Sequence, residues 1–346
     1  MGALLSCFNN KKRIKGKVKE EDVFKPKGVY AFSKDGEKKE EHTKGQDSYS
    51  MIGFNVDNTY IRYIGVYDGH GDRGKMASEY VANQISQQLI HQKAAVKKWN
   101  TKDIVTQKFT EIYKKIQKQC TKNREVYEGS GTCAVAALIV DKFLFVINCG
   151  DSRAVIGSKN ENTKFALQMS NDHKPNDPKE WDRINKSGGE ITNSKDGVNF
   201  GPYRIYKSGS DGGPGLAVAR SVGDLAGHEC GVSEIPEVSY RFLENYDEFI
   251  IIGSDGVWDV MNSVEAVGYV FERLKEVGKD NIAEELVEEC RKRWILLGKF
   301  KEESNERSRA DAGLTNKESL SQLAGNAPAA HHHIDDITVV ICFFKP

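Results

Sequence analysis

Several apolar segments of this chain end in the same way, on a carboxylate beside small residues. "YIGVYDGHGDRG" ends on Asp68, "LFVINCGDSR" on Asp151, "ARSVGD" on Asp224, and "EFIIIGSDGVWD" on Asp255 and Asp259. "HIDDIT" sets Asp335 and Asp336 before the last apolar run. Carboxylates at strand ends are held rigidly by the sheet, and the glycines beside them are expected to let ligands approach. Several such acids converging without matching Lys or Arg repel one another and are tolerable only with a cation between them. Oxygen ligands without paired His or Cys point to Mg²⁺ or Mn²⁺. Zinc is disfavoured because no H-E-x-x-H or C-x-x-C is present, and calcium because there is no D-x-D-x-D-G-x₅-E loop. Any one Asp-Gly reads as a turn; the signal is the set.

The first of these segments invites another reading. Gly69, Gly71 and Gly74 form G-x-G-x-x-G after an apolar run, the dinucleotide-binding fingerprint. That fingerprint needs a second strand ending in an acid about 20 residues on. Here the region is "HQKAAVKKWNTKD", which is no strand and leads into a helix. Asp72 also stands inside the motif, where a pyrophosphate would have to sit. Asp68 and His70 therefore read as an acid and a base on a tight turn.

Strands and helices come in blocks. "TYIRYIGVYD", "TCAVAALIV", "FLFVINCG", "EFIIIGSDG" and "IDDITVVICFF" are expected strands, the second and third joined as a buried hairpin. "KMASEYVANQISQQLIHQ" sets Ala77, Tyr80, Val81, Ile85 and Leu89 on one helical stripe. "TKDIVTQKFTEIYKKIQKQC", "SVEAVGYVFERLKE" and "IAEELVEECRKRWILL" are further helices. The blocks argue an α+β fold with largely antiparallel sheets. The expected organisation is an N-terminal arm over residues 1–24 and one domain over 25–346, with an insertion loop at 298–333. Fifty basic and fifty acidic side chains give zero formal charge, so no global field favours nucleic acid. No basic face beyond the arm could track a phosphate backbone. The seven cysteines are odd in number and several lie in apolar runs, which fits buried thiols in a reducing compartment.

The arm carries its own message. "MGALLSC" matches M-G-x-x-x-[ST], the N-myristoylation pattern, with Gly2 as acceptor; Cys7 is a candidate for palmitoylation. Lys11, Lys12, Arg13, Lys15 and Lys17 follow. One myristoyl chain binds a membrane only marginally, so a second signal is needed, and a basic run supplies about 1 kcal/mol per residue near an anionic leaflet. The expected location is the cytoplasmic face of a membrane.

"GQDSY", "GVYDGHGDRG", "SGTCAVAALI", "LFVINCGDSRAVI", "HKPNDPKEWDRINKSGG", "GLAVARSVGD", "IIIGSDGVWDVM" and "DDITVVI" resemble, in this order, the motif set of the metal-dependent protein phosphatases of the 2C type. The resemblance runs from about Tyr30 to Phe344. It implies two antiparallel sheets packed as a sandwich, flanked by helices in an α-β-β-α order, with a binuclear metal site at one end. It implies that Asp68 bridges two Mg²⁺ or Mn²⁺ ions, that Gly69 offers its carbonyl to one, and that Asp255 and Asp335 hold the other. Asp151, with Asp255, matches a weaker third position, and Asp259 a ligand acting through water. Asp47 and Gln46 of the first motif and Asp224 of the "GD" motif would support the ligands. The implied reaction is attack of a metal-bridging hydroxide on phosphoserine or phosphothreonine, with His70 as general acid and no covalent phosphoenzyme. No Cys opens a C-x₅-R loop, which agrees. The implied partners are phosphoproteins, and the chain is expected to act as a monomer.

The chain departs from that pattern at two points. Gln46 stands where many members have Glu, which weakens a water-mediated metal contact. In place of an upstream phosphate-gripping Arg, the candidates are His42 and Lys44; Lys is a point charge, not a bidentate fork. The stretch "ITNSKDGVNFGPYRIYKSGSDGGPG", with Lys195, Arg204 and Lys207, is expected to shape the approach to the site. His331, His332 and His333 read as a loop end. The rival reading is a phosphatase-like scaffold that recruits partners with weak or no turnover.

Overall fold

The longest apolar runs form strands buried on both faces, which is why they are continuous rather than alternating. The structure, a computed structural model, describes residues 23–37, 45–161, 163–195, 198–209, 215–311 and 334–345. One sheet is built from β1 (Val23–Phe24), β3 (Ser48–Val56), β4 (Thr59–His70), β5 (Gly131–Val140), β6 (Phe143–Cys149) and β12 (Glu237–Phe242). They lie in the order β1-β3-β4-β5-β6-β12, with β11 (Val222–Gly223) beside β5. The second sheet has the order β2-β14-β13-β7-β8: β2 is Val29–Lys34, β14 Ile337–Phe343, β13 Asp247–Gly253, β7 Arg153–Asn160 and β8 Thr163–Gln168. Neighbouring strands in both sheets pair antiparallel.

Side-chain alternation sorts the core into layers. From β4 and β5, Ile64, Val66, Val135, Ala137 and Ile139 meet Ile250, Ile252, Val340 and Cys342 of β13 and β14 between the sheets. The other face of the first sheet, with Ile61, Tyr63, Tyr67 and Leu138, packs on α1 (Gly74–His91) and α2 (Lys102–Cys120). Ala77, Val81, Ile85 and Leu89 of the expected stripe are buried, and Tyr80 is half-buried. The far face of the second sheet, with Phe249, Ile251, Val339 and Ile341, receives Val270, Ile282, Leu286 and Cys290 of a long final helix. The result is helix, sheet, sheet, helix, as expected for an α+β sandwich.

A smaller unit stands beside the sheets. Helix α3 (Pro178–Lys186) and the hairpin of β9 (Gly189–Lys195) and β10 (Val198–Lys207) enclose Ile184, Ile191, Ile205 and Val232. Pro178 fits the first helical turn, and the Asp177 carboxylate accepts from Lys179 N at 2.8 Å. Buried Glu180 holds the unit to the body through Arg220, at 2.6 and 3.0 Å.

The final helix, α4 (Ser263–Asp311), agrees with expectation at its middle and departs from it at its end. Gly278, at φ +75°, interrupts it, which separates the two helices read from sequence. The second part then continues to Asp311, through the start of the segment read as a loop at 298–333. "KFKEESNERSRAD" is rich in Lys, Glu and Arg, which are good helix formers. Residues 312–333 lie outside the described ones.

Phe249 is fully buried, with Phe271 and Phe343 at ring-centroid distances of 4.8 and 5.7 Å. Phe249→Ala is expected to lower stability by about 3–5 kcal/mol. Urea unfolding should show this as a lower midpoint at unchanged slope. A loss under about 1 kcal/mol would contradict the packing described.

Candidate metal centre

One end of the sandwich collects acids from both sheets. Asp68 ends the apolar part of β4, in register with Cys133 of β5. The Thr132 hydroxyl donates to its carbonyl at 2.9 Å. Asp151 stands where the chain passes from β6 in one sheet to β7 in the other. Asp255 follows β13 and opens a short helical turn, Asp255–Trp258. Trp258 and Trp294 brace this turn by donating to Gly253 O at 2.9 Å and Gly256 O at 2.7 Å. Asp68, Asp151 and Asp255 each offer an oxygen, and these atoms lie within 4.8 Å of one another. Asp335, just before β14, adds its charge to Asp68 and Asp255.

Burial, then mutual repulsion, drives the carboxyls upward. Asp68 is raised well above the usual range by burial and by Asp47, Asp151 and Asp335. Asp255 is raised likewise by burial and by Asp68, Asp335 and Asp151. Asp47, just before β3, is 5% exposed, and neither carboxylate oxygen has a hydrogen-bond partner. Its pKa is also well raised, by burial first and by the Asp336 and Asp255 charges, although the nearby Ser254 and Thr338 hydroxyls, outside good hydrogen-bond geometry, act to lower it. An orphaned buried carboxylate beside other acids fits a divalent cation with oxygen ligands.

His70, two residues past Asp68, is 27% exposed, and its Nε2 lies 2.6 Å from Asp224 Oδ2. Burial, the largest single influence, pulls its pKa down, but the Asp224 charge and hydrogen bond together with the Asp151 and Asp255 charges outweigh it, so the net shift is upward. Asp224 is 1% exposed, left-handed at φ +41°, and also accepts from the Ser221 hydroxyl at 2.5 Å. A buried acid in a strained backbone conformation thus orients the histidine.

A family model described as protein phosphatase 2C matches residues 34–294. The chain belongs to the protein phosphatase 2C family. Similar relatives include the probable protein phosphatase 2C 61 of Arabidopsis thaliana, 34% identical, spanning 67% of this chain and 69% of the relative. The probable protein phosphatase 2C 73 of the same plant is 30% identical over 76% of this chain and 73% of its own length. A serine-threonine phosphatase 2C from Toxoplasma gondii shares the fold at a TM-score of 0.66 and 22% identity, covering 92% of this chain and 94% of that one. The family is one of metal-dependent protein serine/threonine phosphatases.

Within this phosphatase 2C fold the expected residues take up several distinct places. Asp68, Asp151, Asp255, Asp335 and Asp47 converge, and Asp259 stands exposed at the rim near Lys174 and Asp151. Asp224 pairs with His70. Gln46 Nε2 donates to Gly71 O at 2.6 Å, so the amide secures the glycine turn. The glycines, expected to admit ligands, make room for the protein. A Cβ on Gly69 would run into the carbonyls of Gly74 and Gln46, and one on Gly256 into that of Asp336. Arg204 donates to Gly215 O at 2.6 Å within the smaller unit. Gly2, Cys7, His42, Lys44, His331, His332 and His333 lie outside the described residues.

Sequence reasoning expected no cation side chain among the acids. The structure places one there: Lys174 Nζ lies 2.5 Å from Asp151 Oδ2, close to the charges of Asp255 and Asp259. Its signal was the "HKP" of the fifth motif, a loop with no periodicity to say where it points.

An acid whose folded pKa is raised binds more protons folded than unfolded, so stability falls as pH rises above about 4. His70 acts in the same direction: its stabilisation holds below about pH 6.5 and is lost as pH rises through its higher folded value. Glu180 and Asp247, both lowered, lose their contributions only as pH falls below about 4. The metal-free protein should therefore melt higher at about pH 5.5 than at about pH 8. Mg²⁺ or Mn²⁺ should raise Tm more at the higher pH, and Asp68→Asn should flatten both trends. Calorimetry in EDTA checks this; a Tm that rises with pH would contradict it.

Proposed function

We propose that the chain is an active Mg²⁺- or Mn²⁺-dependent phosphatase that hydrolyses phosphoserine and phosphothreonine in proteins. The observation that carries this reading is the convergence of Asp68, Asp151 and Asp255 within 4.8 Å, beside orphaned Asp47 and the His70–Asp224 pair. Asp68 would lie between two cations, with the Gly69 carbonyl on one and Asp255 and Asp335 on the other. Asp151 with Asp255 would hold a third, weaker one, and Asp259 would act through water. Asp47 supports this shell, and Gln46 secures the turn that carries His70. When bound, the cations supply a water of lowered pKa and neutralise charge on the phosphoryl group.

The chain's own side chains handle the proton. Asp224 holds His70 through Nε2 and favours its protonated form. Nδ1 is then the nitrogen that gives a proton to the departing Ser or Thr oxygen. No cysteine takes part: Cys133, the one beside the acids, is buried, and burial with the Asp151 and Asp68 charges keeps its thiol protonated. Each residue of this constellation comes from one chain, so a monomer suffices.

We further propose attachment at the cytoplasmic face of a membrane through an acylated Gly2, a second acyl chain on Cys7 and the basic run after it. No helix among the described residues is long and apolar enough to cross a membrane. The attachment reading therefore rests on the arm's sequence alone.

A phosphothreonine peptide should be hydrolysed with Mn²⁺ or Mg²⁺, not with chelator, and Asp255→Asn should abolish turnover. His70→Asn should lower the rate about 10²–10⁴-fold. The loss should be smaller with p-nitrophenyl phosphate, whose leaving group needs no proton. No turnover with any metal in a folded protein would leave the scaffold reading. Separately, Gly2→Ala should move the protein from the membrane to the soluble fraction; unchanged fractionation would refute the acyl anchor.

A further inference from the structure

Lys174 is placed with more care than a loop lysine needs. The residue before it, His173, is 4% exposed and is pinned to Gly150, the residue before Asp151. Gly150 N donates to His173 Nδ1 at 3.1 Å, and His173 N donates to Gly150 O at 3.0 Å. Ala219 N donates to His173 O at 2.8 Å. One residue further back, Asp172 takes a two-point bond from Arg153 at 2.9 and 2.7 Å. On the other side, Asp177 N closes a turn onto Lys174 O at 3.0 Å. The clamp at Gly150 and His173 thus sets Lys174 opposite Asp151, and its ammonium reaches Asp151 Oδ2 at 2.5 Å although the side chain is 37% exposed.

This uses up Asp151. Its other oxygen, Oδ1, accepts the Cys133 thiol at 3.2 Å. Asp47, by contrast, has both oxygens without a partner. A cation entering the cluster meets an Asp47 carboxylate held by no ammonium or guanidinium among the described residues, and an Asp151 oxygen occupied by one. Ordering a long, partly exposed lysine side chain also costs conformational entropy, so the contact must be held by the acids it faces.

We infer that Lys174 is a positioning residue that competes with the outermost divalent cation for Asp151, so that ammonium and metal are alternative occupants of that carboxylate. The inner acids keep their cations whichever occupant is present. The outer position fills only when the ammonium leaves, which makes its occupancy weak and sensitive to cation concentration. This rests on the metal reading proposed above and deepens it: the chain carries its own tethered competitor for one of its cations.

The test is a Mn²⁺ titration of the full chain after metal removal, following free Mn²⁺ by electron paramagnetic resonance. Lys174→Gln should tighten the weakest class of sites about tenfold, equivalent to about 1.4 kcal/mol. The tighter class should tighten by less than the weak class, because the ammonium contacts Asp151 and acts on the inner acids only through space. Lys174→Arg, which keeps the charge, should stay near the natural chain, and Asp151→Asn added to Lys174→Gln should erase the gain. A second measurement uses the natural chain. Acetylation of Lys174 by an amine-reactive reagent, read by mass spectrometry, should increase at Mn²⁺ concentrations that fill the weak class and fall again with EDTA. An unchanged isotherm for folded Lys174→Gln, a gain that survives Asp151→Asn, or a reactivity indifferent to Mn²⁺ would overturn the inference. If the tight class fills normally, only the Lys174 inference falls; if no Mn²⁺ binds at all, the metal reading falls with it.

Discussion

Like charge crowded at one end of the sandwich is the constraint on which the rest of this structure depends. Asp68 arrives on the first sheet, Asp255 and Asp335 on the second, and Asp151 on the crossing between them. Two unit charges about 4 Å apart interact by about 1 kcal/mol in water and about 4 kcal/mol at the effective dielectric of a protein surface. The folded chain can hold such a set only because apolar layers on both faces of both sheets fix the strand ends, each fully buried Val, Ile or Phe contributing about 1.5–3 kcal/mol. The same rigidity that makes the repulsion unavoidable sets the carboxylates where they could hold a metal ion.

The crowding also explains the small residues around the acids. Gly69 and Gly256 leave no space to spare, because backbone carbonyls of neighbouring segments fill the places their side chains would take. Asp336 does similar work next to Asp335. Its carboxylate accepts the amides of Gly36 and Gln46, each at 2.6 Å, and ties the start of β14 to the segments before and after residues 38–44. One acid of the pair therefore holds backbone while the other faces the cluster.

This division shows how far the sequence could be read. Apolar runs ending in Asp located the strand ends, because burial on both faces demands continuous apolar residues. The helical stripes were legible for the same reason in a different period. Which of Asp335 and Asp336 faces the cluster was legible only through the family's motif, since period-2 alternation separates the two without assigning a side. Gln46 was read for its missing charge, whereas its amide contact with Gly71 depends on a turn that only the assembled chain creates. Lys174 lies on a loop whose direction is set by the clamp between His173 and Gly150, residues 23 positions apart. The helix running to Asp311 is not legible in the sequence, because a helix rich in Lys, Glu and Arg and a polar loop share a composition.

The site's two basic groups show a common logic. His70 is held by Asp224, and Lys174 by Asp151. Each stands beside the shared acids yet is tied to a carboxylate of its own, so neither is free to neutralise the cluster as a whole. The two acids differ in what surrounds them. Asp224 is 1% exposed, held by Ser221, and set in a left-handed backbone that its surroundings must stabilise. Asp151 is also buried, but it lies within 4.8 Å of Asp68 and Asp255, and a cation there would gain from all three. The His70 pair thus stands on a carboxylate outside the Asp68, Asp151 and Asp255 set. The Lys174 pair uses a carboxylate of that set, at the boundary of the cluster. On the function proposed above, a proton donor that must stay in place while the cation content varies would gain from this asymmetry.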